Sequence, residues 1–119
     1  DDVTYEFVND GTVLGIWRTI AFTYSNDIGE VIKDKKADLF LQRLIFCKDG
    51  KLIEERINET MLNHLLWTNG KVIDNKYNMT SSKYEIVKLK NVEYLIYEWK
   101  SGDYTFGRRK PGKYILVKE

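Results

Sequence analysis

Short apolar and aromatic runs alternate with turn dipeptides along almost the whole chain, the rhythm of an antiparallel meander. The runs are Gly15–Tyr24, Leu39–Lys48, Lys51–Ile57, His64–Thr68, Lys71–Asp74, Ser82–Leu89, Val92–Trp99, Tyr104–Arg109 and Lys113–Lys118. They are rich in tyrosine, isoleucine, valine and tryptophan, the residues that fit a pleated, half-buried surface. Asp49-Gly50 and Asn69-Gly70 predict two-residue hairpin loops with positive φ at both turn positions. Lys90-Asn91, Ser101-Gly102 and Pro111-Gly112 mark further reversals. The pattern predicts an all-β fold of about eight or nine antiparallel strands, closed up-and-down into a barrel.

Two stretches break the rhythm. Ser25–Asp38 is long, polar and charged, and is expected to lie over the open end of the barrel as a solvated, mobile lid. Arg56–Asn63 reads as a loop between two strands, although residues 51–66 also have a helical reading, with Ile53, Ile57, Met61 and Leu65 at four-residue spacing. Both alternatives stand at this level.

The last third of the chain carries a register argument. If Ser101-Gly102 is a two-residue loop, Trp99 opposes Tyr104, Tyr97 opposes Phe106 and Leu95 opposes Arg108, which places an aromatic ladder and an arginine on one face. The opposite face, with Glu98, is expected to point mostly to solvent. Counting strand reversals brings Arg108 to the end where Gly15-Ile16-Trp17 opens the first strand. A guanidinium can stack on an indole there, so Trp17 and Arg108 are the expected structural pair of the closed end. A ninth run, Lys113–Lys118, spoils the parity for simple closure.

Charge narrows the classes of partner. The chain has 119 residues, one domain by size, with 19 basic and 18 acidic residues and a net charge of +1. The signs are interspersed, so there is no basic footprint for nucleic acid. The sequence begins Asp1-Asp2 rather than with methionine, so a domain excised from a longer parent or a processed product is expected, residues 1–9 serving as a lead-in. The single cysteine, Cys47, has no internal partner and reads as a buried free thiol.

Candidate chemistry is sparse. His64 is the only histidine and, beside a polar loop, reads as a surface residue. One histidine and one cysteine without a spacing motif make no zinc site, so neither metal nor cofactor is expected. Glu54 and Glu55 adjoin on a strand and must point to opposite faces, which argues against a paired acid–base site. No catalytic constellation is specified, and the domain reads as non-enzymatic.

Gly15-x-Trp17 on the first strand and a late strand ending in arginine resemble the lipocalins and the wider calycin group. LFLQRLIFCKDGK, LLWTNGKVID, SSKYEI and EWKSGDYT are together similar to a bacterial lipocalin-like domain of low-GC Gram-positive bacteria. That domain occurs alone or attached to membrane-bound metallopeptidases of the beta-lactam-sensor type. The resemblance runs from Phe7 onward and implies a barrel, with a membrane or peptidase domain covalently attached in the parent and a membrane tether through it. It transfers no catalytic residue. The His-Glu-x-x-His signature of such peptidases is absent from this chain, and RKPGKYILVKE stands where lipocalins carry a long helix.

The aromatic residues Trp67, Tyr84, Trp99, Tyr104 and Phe106 are the candidate lining of a pocket for a small apolar or amphipathic ligand, with Glu98 reaching in if the faces are inverted. A barrel of this size can hold one small ligand or fill with side chains. The expected function is therefore small-molecule binding or sensing within a larger bacterial protein. The alternative is a filled structural or protein-interaction domain.

Overall fold

The computed structural model describes residues 7–9, 11–100 and 111–119. Eight antiparallel strands close into an up-and-down barrel, each pairing with its neighbour in sequence and the last with the first. They are β1 (Gly15–Thr23), β2 (Leu41–Phe46), β3 (Lys51–Arg56), β4 (Thr60–Thr68), β5 (Lys71–Asp74), β6 (Thr80–Leu89), β7 (Val92–Trp99) and β8 (Gly112–Lys118). Residues 51–66 are two strands joined by a 3₁₀ turn at Ile57–Glu59, which settles the strand-or-helix alternative.

Closure differs from the expected register. Tyr97 pairs with Tyr84 on one side and Tyr114 on the other, and Leu95 with Ile86 and Leu116. Both edges of β7 are thus occupied there, and the expected pairings of Tyr97 with Phe106 and Leu95 with Arg108 are replaced by pairings to β8. Trp99 pairs with Gly112 rather than Tyr104. The parity problem disappears with this change, because the eighth barrel strand is Gly112–Lys118. Residues 104–109, including Tyr104, Phe106 and Arg108, lie outside the described residues.

Register shifts in three strands keep the interior apolar where simple alternation would not. Trp17 and Phe22 are five residues apart, yet both belong to the interior cluster, because β1 slips against β8 between Thr19 and Ala21. Gln42 is the extra residue in β2, so Leu41 and Leu44 both pack inward. On β4, Asn63 and His64 together face Ile53, so Leu62 and Leu65 both pack inward. Each extra residue inverts the phase of its strand.

One end of the barrel is closed. Trp17 is fully buried and its Nε1 donates to Val13 O at 2.8 Å. Trp67 Nε1 donates to Cys47 O at 2.8 Å, and its ring meets Phe7 and Phe46 edge-on at 5.2 and 5.5 Å. The lead-in is tied across this end, since Val8 N donates to Thr68 Oγ1 and Val8 O accepts from Asn69 N. Cys47 itself is half-buried.

The hairpin turns correct another expectation. Gly50 and Gly70 have φ of +86° and +84°, but neither Asp49 nor Asn69 is left-handed. Among the described residues, the two-residue hairpin turn with positive φ at both positions is Lys90-Asn91, at 49° and 67°, between the directly paired Leu89 and Val92.

Ser25–Asp38 is not a lid over the mouth. It contains a one-turn helix, α1 (Ile28–Val31), capped by Asp27, whose side chain accepts from Glu30 N. Ile28, Val31 and Ile32 pack on a second apolar cluster of Ile20, Ala21, Tyr94, Ile96 and Ile115. Lys36 N donates to Ile20 O at 2.8 Å, fixing the segment to β1 beside its register slip. The segment carries apolar side chains among its charges, and the outer faces of β1, β7 and β8 offer them a surface to cover.

Candidate functional site

The end opposite Trp17 is polar inside. Alternation along β3 turns Leu52, Glu54 and Arg56 inward and Glu55 outward, as the opposite-face argument for the carboxylates requires. Glu55 pairs on the outer wall with Arg43, which also reaches Glu119 at 2.9 Å. Glu54, by contrast, is 2% exposed and accepts from Arg56 Nε at 2.6 Å. The Arg56 guanidinium lies 5.1 Å from the ring centre of Phe40 and 5.8 Å from that of Trp99. Two aromatic rings and one carboxylate therefore fix its orientation.

A second polar pair stands beside the first. His64, placed by the β4 slip, meets Asp74 Oδ2 through Nε2 at 3.1 Å and packs edge-on against Tyr77. Asp74 ends β5 and accepts the amides of Lys76 and Tyr77 through Oδ1. His64 is thus largely buried and bonded, not the surface histidine expected from its loop-side position. The signal for this contact was the tertiary neighbour Asp74, ten residues away across a hairpin.

These groups bear on one another's ionisation. Burial pushes the Glu54 carboxyl above its ordinary value, against the opposing pull of Arg56 and His64. Burial also opposes ionisation of Asp74, but the Tyr77 amide, His64 and the Lys76 amide together hold it below the usual carboxylate range. Burial and the nearby Glu54 charge raise the Tyr97 phenol well above normal.

A cavity of about 250 Å³ opens here, with Glu54, Arg56, Asp74, Ser82, Tyr97 and Trp99 among its lining. Of the expected pocket residues, Trp99 lines it. Trp67 and Tyr84 are interior but belong to the packed half, joined through Phe46. Glu98 faces the outer wall, accepts from Lys83 N at 3.2 Å and borders an external groove of about 490 Å³ with Lys83, Glu85 and Lys113. Tyr104 and Phe106 lie outside the described residues, as does Arg108. At Trp17 the described cation is Lys118, its Nζ 5.0 Å from the ring centre. The interior lining therefore differs from the apolar, aromatic one expected: Glu54, Arg56 and Asp74 give it a charged floor.

Compared with protein-family models, curated proteins and solved structures, the chain matches none.

Proposed function

We propose that this domain binds a small molecule in the mouth of its barrel and serves as a non-enzymatic binding or sensory module of a larger bacterial protein. The observation that carries the reading is the ion pair of buried Glu54 with partly exposed Arg56, lining a cavity at the polar end of a barrel whose other half is packed with apolar side chains. Desolvating the Glu54 charge costs on the order of several kcal/mol, and an apolar pair of similar volume would serve the fold at least as well. Charged groups kept in such a place are suited to recognition, because pockets use a few fixed polar groups to orient a ligand. The similarity to lipocalin-like domains supports the same reading. Its bacterial source and a peptidase or membrane partner in the parent rest on that similarity alone.

Native mass spectrometry of the chain after exposure to a small-molecule extract of a low-GC Gram-positive bacterium tests the proposal. One retained small molecule is expected, lost when Glu54 and Arg56 are both replaced by leucine, an exchange the barrel should survive. A chain that retains nothing, or a double variant that retains the same molecule, overturns the reading in favour of a structural barrel.

A further inference from the structure

We infer that the mouth cavity is built for a small zwitterion of the α-amino acid class, whose carboxylate meets Arg56 and Trp99 and whose ammonium meets Glu54. The inference rests on the reading of the cavity as a ligand site and assigns the chemistry of its ligand.

Three groups in the lining have hydrogen-bonding capacity that the described residues do not use. Arg56 donates to Glu54 only through Nε, and Nη1 and Nη2 have no acceptor among the described residues. Trp99 is 8% exposed, and its Nε1 is buried with no hydrogen-bond partner, unlike those of Trp17 and Trp67. An orphaned buried donor is costly, so an acceptor arriving from outside the chain would relieve it. Glu54 uses Oε1 for Arg56, while Oε2 accepts no hydrogen bond from the described residues. Asp74, the other carboxylate of the cavity, has both oxygens engaged by His64, Lys76 and Tyr77. It is therefore a wall of the site and not a free acceptor.

The free donors of Arg56 and the free oxygen of Glu54 lie side by side, because the two side chains are joined at 2.6 Å. A ligand that answers both must carry its negative and positive groups equally close together. An α-amino acid does so on adjacent carbons, and its dipole would lie antiparallel to that of the ion pair. A planar carboxylate also matches the fork of the guanidinium. A simple anion would leave Glu54 facing added negative charge, and a simple cation would leave Arg56 and Trp99 unanswered. Size agrees, since about 250 Å³ is the share of about eight liquid waters and admits a small ligand only.

The three indole N–H signals of the ¹⁵N-labelled chain provide the test. Trp17 and Trp67 donate to backbone carbonyls and serve as internal controls of folding, while Trp99 reports on the cavity. L-Alanine, propionate and n-propylamine are titrated separately. L-Alanine is expected to shift the Trp99 signal alone, binding at least about tenfold more tightly than either single-charge probe. Arg56→Lys, which keeps the charge and loses the fork, should weaken L-alanine by about tenfold or more. Glu54→Gln should weaken L-alanine by a similar factor and leave propionate no weaker. If propionate or propylamine binds as well as L-alanine, the zwitterion assignment is wrong while the cavity remains a ligand site. If none of the three moves Trp99 but the native spectrum retains another molecule, the assignment again fails alone. If neither experiment detects a ligand, both readings fall.

Discussion

Lys118 Nζ sits 5.0 Å from the ring centre of Trp17 and also donates to Leu14 O, so the last strand fastens the first at the closed end of the barrel. The two residues are directly paired across β1 and β8. Trp17 is fully buried, and its replacement by alanine should cost about 3–5 kcal/mol in denaturant melting. The cation on its ring is more exposed and should be worth about 0.5–1 kcal/mol. A double-mutant cycle of Trp17→Phe with Lys118→Gln should return coupling of that size; zero coupling would show that the stacking contributes nothing.

The two buried carboxylates should tilt stability in opposite directions with pH. Glu54 is held above its ordinary value near 4.5, so the folded state binds its proton more tightly. Its contribution is fully present below pH 4.5 and is lost as pH rises through the folded value. Asp74 is held below 3.8, so its contribution is present above that pH and is lost as pH falls through the folded value. Relative to the parent chain, Glu54→Gln should therefore gain stability as pH rises from 4.5 towards neutrality. Asp74→Asn should be deficient above pH 3.8 and converge with the parent in stronger acid. Urea melts of the three proteins across pH 2–8 check both slopes.

The strap over the outer wall should be held firmly. Hydrogen exchange should protect the Lys36 amide, which donates to Ile20 O, while Asp38 exchanges quickly. Ile20 faces the strap cluster and is fully buried, so Ile20→Ala should cost about 2–5 kcal/mol, as in a core. Uniformly fast exchange across residues 25–38 would defeat this account.

Gly112 begins β8 where there is no space for a side chain. A Cβ there would lie 2.5 Å from Phe22 Cζ and 3.0 Å from Thr23 O. Gly112→Ala should lower stability by about 1–3 kcal/mol, the range for overpacking. Combining it with Phe22→Leu should recover part of the loss from the ring contact but none from the backbone oxygen, so the two changes should be non-additive by thermal melting.

The β6–β7 turn is under backbone strain that its sequence does not relieve. Lys90 and Asn91 both have positive φ, a conformation costing a side-chain-bearing residue about 1–2 kcal/mol. Replacing them with Asn and Gly, the pair this turn prefers, should raise stability by roughly 0.5–1 kcal/mol. A neutral or negative change in melting would show that the lysine or asparagine makes a compensating contact.

Local rules in the sequence determined the class of fold, a strand-like run for each of the eight strands, and the inward face of β7. Aromatic and β-branched runs bounded by turn residues leave the chain little but a meander, and alternation alone sends Trp99 and Tyr97 inward and Glu98 out. Alternation also separates Glu54 from Glu55 correctly. Which face of β3 is the inner one depends on the partners of β3, so the buried member of that pair was not legible.

Tertiary structure alone decided how the barrel closes and where its polar site lies. Tyr104–Arg109 and Lys113–Lys118 are equally strand-like in sequence, and only pairing to β1 and β7 together selects the second. The slip at Asn63-His64 leaves no compositional mark, yet it brings His64 to Asp74 from across a hairpin. The polar appearance of Ser25–Asp38 suggested a lid because its few apolar residues, Ile28, Val31 and Ile32, have meaning only beside the outer cluster they cover. Strand propensity and alternation are properties of neighbours in the chain. Closure, phase and the mouth cavity are set by contacts between residues far apart in it, and those exist only once the barrel has formed.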